Sequence, residues 1–333
     1  MITIMLVGDI VDESGGLDVL TVFDNDNPHQ EEVDALAEWL REAGYGVIVN
    51  ASVQRFVDSP PHRGETVVFP LWRGGSSRNR TAIVPAICEE RRLPYIGGDA
   101  FTQCVCQNKS LSKIWAHVAG FSVPRENILY SPKEASGWQP VSNFGSPCVV
   151  KPLSSACSIG VTDASLCICD EEAVTQAKRL FASDLGPVLC EEYVTGEEVA
   201  ICVIERDGQI TQRCVVGYRD ASGRCPFYDR LFTFEDKLEE NPPWKLEVLN
   251  RSVNWEIWKS AETMIRWLGR VDYMRFDGRI KDGQFVLVEL TPDIHLALSS
   301  SFLGGFSAMG MPPPQLLDNL IRTSLCNQGC ITE

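Results

Sequence analysis

The stretch Tyr273-Met-Arg-Phe-Asp-Gly-Arg-Ile-Lys-Asp-Gly-Gln-Phe-Val-Leu-Val-Glu-Leu-Thr-Pro292 reads as two strands joined at Asp282-Gly283. Side chains in a strand repeat every two residues, so Arg275 and Asp277 share one face of the first strand, and Glu289 and Thr291 one face of the second. If the strands pair through the turn, one surface gathers all four. Carboxylates on adjacent strands suit a hard cation such as Mg2+, which takes one or two of them and leaves its other positions to water and phosphate. A solvated hairpin face would show the same alternation, because one side of an antiparallel pair often meets water.

Upstream, Pro147-Cys-Val-Val-Lys-Pro152 is a strand ending in a lysine, followed by the small-residue loop Leu153-Ser-Ser-Ala-Cys-Ser-Ile-Gly160. Small residues let backbone N–H groups approach an anion, and Lys151 adds a point charge suited to phosphate. Lys109 falls in the first turn of a helix expected to open near Asn108. A cation there opposes the helix dipole, so either a bound anion or a snorkelling side chain accounts for it. Between these, Val188-Leu-Cys-Glu-Glu-Tyr-Val-Thr-Gly-Glu-Glu-Val199 places a strand, a bend and a second strand, with Glu191 and Glu198 flanking the bend. Such a bend can read an adenine edge through its backbone, with a carboxylate for ribose hydroxyls, although paired glutamates are commonly plain surface charge.

The first hundred residues alternate strand and helix. Apolar strands over 2–7, 46–49 and 66–69 flank a helix over 30–43 whose Val33, Leu36, Ala37 and Leu40 share one face, the pattern of a βαβ unit with a parallel sheet. Further helices are expected over 81–92, 170–183 and 252–268, and a strand over 187–193. Residues 221–244 carry Gly, Pro and charge without periodicity and read as a long mobile loop.

The order Lys109 on a helix, Lys151 with its small loop, Glu191-Glu-Tyr-Val-Thr-Gly-Glu-Glu198, Arg275-Phe-Asp277 and Val288-Glu-Leu-Thr-Pro292 resembles the ATP-grasp superfamily, within it the D-alanine–D-alanine ligase-like branch. Leu93-Pro-Tyr-Ile-Gly97 and Phe227-Tyr-Asp229 resemble two further motifs of that branch, and the resemblance spans residues 66–303. It implies an α/β chain, α+β in its ATP-binding part, with an N-terminal βαβ domain over 1–100, a central ATP-grasp domain over 101–190 and a C-terminal one over 191–333. By resemblance, Lys109, Lys151 and Ser158 contact ATP phosphates. The main chain of Glu192, Tyr193 and Val194 holds adenine, Glu191 lies near its amino group and Glu198 binds ribose. Asp277, Glu289 and Thr291 hold two Mg2+ ions, with Mn2+ as a substitute, and Arg275 and Ser158 act catalytically. Cys157, Tyr228, His295, Ser300 and Ser301 face the substrates. The implied reaction activates a carboxylate to an acyl phosphate, which an amine attacks to give an amide, ADP and phosphate.

Departures from the branch bear on the substrate. The branch's N-terminal Glu-x-Ser-Leu is absent, and Asp12-Glu-Ser-Gly-Gly16 is a loose echo. Cys157 stands for a substrate-contacting serine, and Thr233-Phe234 for the mobile loop's Lys-Tyr. Thr291 replaces an asparagine, with Asp293 as its alternative, and Ile294-His295-Leu296 replaces Pro-Gly-Met. His295 is then either a satisfied core histidine or a substrate contact. These changes favour a ligase of amino acids or similar pairs in a specialised pathway. The alternatives are a D-alanine–D-alanine ligase with drifted contacts and an ATP-binding regulator without turnover.

The 333 residues suit two or three domains at about 150 residues each, and 44% hydrophobic content excludes disorder as the main state. A net charge of −15, from 30 basic and 45 acidic side chains, repels nucleic acid. No signal peptide or membrane-length apolar run is read, so a cytoplasmic protein acting on small-molecule carboxylate and amine substrates is expected, with a homodimer implied by the resemblance. Of the thirteen cysteines, the pairs Cys104/Cys106 and Cys167/Cys169 lack a nearby histidine or a second pair at finger spacing, so most read as reduced, buried small hydrophobes.

Overall fold

In the computed structural model, described over residues 2–11, 27–62, 64, 66–75, 77–155, 158–239, 241–250, 253–292 and 294–332, the strands fall into three sheets. Cys157, Asp293 and the 12–16 segment lie outside these residues. The first sheet is parallel, with β1 (Thr3–Val7) between β2 (Gly46–Asn50) and β3 (Thr66–Pro70), as the alternating signals require. The helix Gln30–Glu42 buries Val33, Leu36, Ala37 and Leu40 on it.

The second sheet is antiparallel: β4 (Glu126–Leu129), β5 (Cys148–Pro152), β6 (Leu166–Cys167) and β7 (Val188–Glu192) run in the order β4-β7-β5-β6. The third contains β8 (Glu197–Arg206), β9 (Gln209–Asp220), β10 (Trp244–Val248), β11 (Tyr273–Lys281) and β12 (Gln284–Thr291), in the order β10-β9-β8-β11-β12. Both tight hairpins of this sheet turn on an Asp-Gly pair with positive φ at each residue: Asp207 (52°) and Gly208 (75°), and Asp282 (50°) and Gly283 (77°). That twist matches the strands, which is why Asp-Gly marks such turns.

Three features depart from the sequence reading. The helix Ala100–Gln107 precedes the lysine-bearing helix Lys109–Val118, from which it is separated only by Asn108. Residues 221–244 are tied down rather than free. Phe227 is buried among Tyr218, Phe232 and Trp244, and a short helix, Phe234–Leu238, sits within the segment. At the C-terminus, the helices Ser301–Ala308 and Pro313–Asn327 pack back onto the N-terminal unit, so Leu316, Leu320 and Ile321 share one core with Ile4, Leu6 and Leu40. Among the described residues, no helix is long and apolar enough to cross a membrane. The twelve described cysteines are all unbridged and seven are buried.

A buried polar knot joins these parts. Asp272 accepts from the Gly97 N–H (3.1 Å) and from Asn327 Nδ2 (2.8 Å), while Glu205 accepts from the N–H groups of Asp272 (2.8 Å) and Gly208 (2.9 Å). Burial pushes the Asp272 carboxyl up to about 6. Glu205 adds to the rise, and Arg270, Asn327 and Ser324 oppose it. A carboxyl titrating near 4 when unfolded and higher when folded makes the native state bind the extra proton, so its contribution to stability declines as pH rises through that interval. Asp272→Asn should flatten this slope. Relative to the variant, the wild type should lose on the order of 2 kcal/mol between pH 4 and 7 in urea unfolding; parallel pH profiles would contradict the assignment.

Candidate functional site

Asn108 caps the helix Lys109–Val118, its Oδ1 accepting from the Leu111 N–H at 3.0 Å. Lys109 and Lys113, one turn apart, therefore point to the same side, and both are buried. Lys113 Nζ lies 2.6 Å from Glu126 Oε2 and 2.5 Å from Glu191 Oε2. The other oxygen of Glu191 receives Lys151 Nζ. The sheet arranges this meeting: Val149 stands opposite Glu191 in the β5–β7 register, and Lys151 is two residues along on the same face.

Glu191 is pushed up by burial, but the two ammonium charges and their hydrogen bonds outweigh this and hold it down at about 2. Lys113 is pushed down by burial yet ends raised, because two carboxylates surround it. Lys151 is lowered by burial, and the neighbouring Lys113 and Lys109 charges offset the help it has from Glu191 and Glu289.

The β11–β12 register places Arg275 opposite Thr291 and Asp277 opposite Glu289, so one face gathers all four, but only through a one-residue bulge between Asp277 and Gly278 that the alternation from the turn does not predict. Arg275 grips Asp277 with two bonds, Nε to Oδ1 at 2.6 Å and Nη2 to Oδ2 at 2.9 Å, and the Thr291 hydroxyl donates to Asp277 Oδ2 at 2.9 Å. Glu289 Oε1 pairs with Lys109 Nζ at 2.9 Å, and that ammonium also donates to the Ser155 carbonyl. Burial raises the Glu289 carboxyl, but Lys109 and Lys151 bring it below its ordinary value. Two adjacent carboxylates and a hydroxyl are an oxygen donor set that fits a hard divalent cation. Among the described residues, no group of three or more His, Cys, Asp or Glu gathers as a metal cluster.

At the bend, the N–H groups of Glu192 and Tyr193 donate to the carbonyls of Arg125 and Pro147, each at 2.9 Å. Among the described residues this leaves Val194, of the three expected to hold adenine, with an N–H not already engaged. The Glu192 side chain turns to Arg125 (2.8 Å). Glu191 carries an ammonium on each oxygen, so its place is inside the lysine network rather than at a purine amino group. Glu198 is paired with Arg279 Nε at 2.9 Å, and the same guanidinium donates to Tyr193 Oη (3.0 Å) and to the carbonyls of Tyr228 (3.3 Å) and Arg230 (2.8 Å). Arg279 was not foreseen, although it continues the alternation of Arg275 and Asp277.

Ser158 has φ of 62° and accepts from Lys237 Nζ at 2.8 Å. Lys237 lies one helical turn past Thr233, so this segment does carry a cation, displaced from the position where the sequence comparison seeks it. Tyr228 does not line the cavity; its ring is half exposed and its backbone carbonyl is what the fold uses. Ser300 caps the helix Ser301–Ala308, and both serines line the cavity. His295 Nε2 stands 2.5 Å from Glu32 Oε1, a residue the sequence presented as an ordinary first-turn acid of a surface helix. Lys109, Lys151, Ser158, Glu191, Glu198, Lys237, Arg275, Asp277, Arg279, Glu289, Thr291, His295 and Glu32 line one cavity of about 680 Å3, whereas Tyr228, Lys113, Glu126 and Arg125 do not.

Lys109 and Lys151 beside the Asp277–Glu289 pair, in this fold, define an ATP-dependent ligase of the ATP-grasp class, one that forms C–N bonds and works with a divalent metal. The family model described as D-ala D-ala ligase C-terminus matches residues 118–322, and the chain belongs to that family. It is 27% identical over 309 residues to the D-alanine–D-alanine ligase of Corynebacterium aurimucosum, covering 92% of this chain and 83% of that one. It is 26% identical over 245 residues to D-alanine–D-alanine ligase A of Bacillus cereus, covering 73% and 75%. The fold is shared with the ATP-complexed D-alanine–D-alanine ligase of Bacillus anthracis (TM-score 0.70, 19% identity, 98% of each chain). It is shared as well with the VanG D-Ala:D-Ser ligase of Enterococcus faecalis (TM-score 0.67, 18% identity, 97% and 98%).

Glu191→Gln would strand two buried lysines with one fewer anion. Removing one partner of a buried ion pair typically destabilises by about 3–5 kcal/mol, so urea unfolding at pH 7 should show a loss of that size. A change under 1 kcal/mol would mean that Glu191 is not what neutralises them.

Proposed function

We propose that this ligase activates the carboxylate of one small amino acid with ATP and joins it to the amine of a second, and that D-alanyl–D-alanine is the first product to test. The observation that carries the reading is the cavity in which Lys109, Lys151 and Arg275 converge on the Asp277–Glu289 pair. Lys109 and Lys151 meet the phosphate oxygens, with Ser158 and Lys237 closing from the other side. Glu198 receives the ribose hydroxyls and the Val194 main chain the purine edge. Asp277, Glu289 and Thr291 hold the divalent cation, which when bound neutralises charge on the transferred phosphoryl group. Arg275 then faces charge developing on the acyl phosphate oxygens. The chain's own contribution is positioning and neutralisation of anionic charge.

Ser300 and Ser301 lie at the start of a helix, where an amino-acid carboxylate is well received. The relatives favour D-alanine for both substrates over the pair of a specialised pathway. A second reading, a different amine acceptor, is favoured by the His295–Glu32 pair in the cavity wall, and the D-Ala:D-Ser activity named for one structural neighbour is an instance of such a change on this fold. A regulator without turnover is the weaker reading, since Lys237 supplies the strap cation whose loss suggests it.

ADP release measured with D-alanine, D-serine and a panel of amino acids, with product masses, tests the proposal. D-Alanine should give the dipeptide, and Glu289→Gln should lower turnover at least a thousandfold by removing a metal oxygen and freeing Lys109. Retained activity in that variant would overturn the metal assignment, and no ADP release with any pair would overturn the ligase reading.

A further inference from the structure

Beside the ligase cavity lies a second, much smaller one of about 20 Å3, where the N-terminal unit meets the rest of the chain. Trp72 comes from the segment after β3, Thr81 from the short helical turn Arg80–Ala82 and Gln103 from the helix Ala100–Gln107. All three line this space, together with Ile96, Tyr273 and Pro292. Pro292 directly follows Thr291, so the small cavity borders the strand end that carries the candidate metal oxygens.

Each of the first three residues brings a buried polar atom that has no hydrogen-bond partner among the described residues: Trp72 Nε1, Thr81 Oγ1 and Gln103 Oε1. Thr81 and Gln103 are only 5% and 7% exposed, so bulk water does not satisfy them. Buried indole N–H, hydroxyl and amide groups nearly always find a partner, and three of them around one small space point to a shared one.

Their chemistry selects that partner. The indole N–H can only donate, the Gln103 oxygen can only accept, and the Thr81 hydroxyl does either. A water molecule can accept from Trp72, donate to Gln103 and use a remaining hydrogen or lone pair for Thr81. That makes three hydrogen bonds, the usual number for an internal water, and a cavity of ~10–15 Å3 is enough to hold one. Among the described lining residues none is acidic and Arg73 is basic, which disfavours a cation, while the Gln103 oxygen disfavours an anion.

We propose that this cavity is the binding site of one structural water, which bridges the N-terminal unit, through Trp72 and Thr81, to the helix that bears Gln103. Gln103 also lines the ligase cavity, so the bridge fixes the amide of a residue that forms part of that wall. The assignment is independent of which substrates the ligase joins.

A crystal structure that resolves ordered solvent should show one peak within about 3.2 Å of all three atoms. A site without density overturns the proposal, and so does an anomalous peak there after a bromide soak, which would make the occupant a halide. Thermal unfolding supplies a second measurement. Thr81→Val and Gln103→Leu each strand the polar atoms that remain, and each should lower Tm by about 2–4 °C. The double variant removes both groups together and should lower Tm little further than either single change. Losses that simply add would mean that the two side chains share no water, and the bridge would be wrong. Should Gln103→Leu fail to fold, the wild-type density decides alone.

Discussion

The bond from Glu191 to Lys113 and Lys151 is the constraint on which the rest of the site hangs. It draws together a helix and two strands of the central sheet, and it makes burial of two ammonium groups tolerable where neither could remain charged alone. With Lys113 neutralised from two sides, the helix can settle with Lys109 one turn earlier on the same face, and that lysine reaches across to Glu289 in the neighbouring sheet. The lysine expected to be anomalous in a first helical turn is thus explained by a partner on another sheet rather than by its own helix.

The same logic repeats around the cavity. Glu289 is matched by Lys109, Asp277 by Arg275, Glu198 by Arg279 and Glu32 by His295. These pairs set acid against base across the wall, which is how a chain with net charge −15 can gather acids and bases so densely. On the proposed function, an anionic nucleotide and a cation entering together would exchange partners with the wall, phosphate taking the lysines and the cation the carboxylates. Neither alone would leave the remaining set balanced, since phosphate without a cation strands carboxylates and a cation without phosphate strands lysines.

The strands that carry chemistry were legible in the sequence because their side chains alternate with period two and their turns carry Asp-Gly. The register of Arg275 with Thr291 and of Asp277 with Glu289 needs, besides those two facts, the one-residue bulge at Asp277/Gly278, without which Asp277 would face Val288. Lys113 was hidden although its signal was present, four residues after Lys109 on the same helical face. Glu32 was hidden for a better reason: in sequence it is one acid among several in a first helical turn, and only the return of residue 295 gives it a partner. The 221–244 segment was misread as free because its anchors, Tyr218, Trp244 and Arg279, stand at its ends or in another strand. The C-terminal helices carried no motif, yet they complete the core of the first hundred residues, a matter of long-range packing that local periodicity does not encode.

Arg279 spans two jobs with a single guanidinium: it pairs with Glu198 on one side and holds the backbone of Tyr228 and Arg230 on the other. Any ligand that competes for Glu198 therefore changes how firmly the 221–244 segment is held, and linkage makes the effect mutual. On the proposed reading, in which nucleotide ribose competes for Glu198, whatever steadies that segment would alter nucleotide affinity by the same factor by which nucleotide steadies the segment. If nucleotide binds at Glu198 as proposed, a substitution that loosens the 221–244 segment would then present itself in binding measurements as a change in the nucleotide pocket.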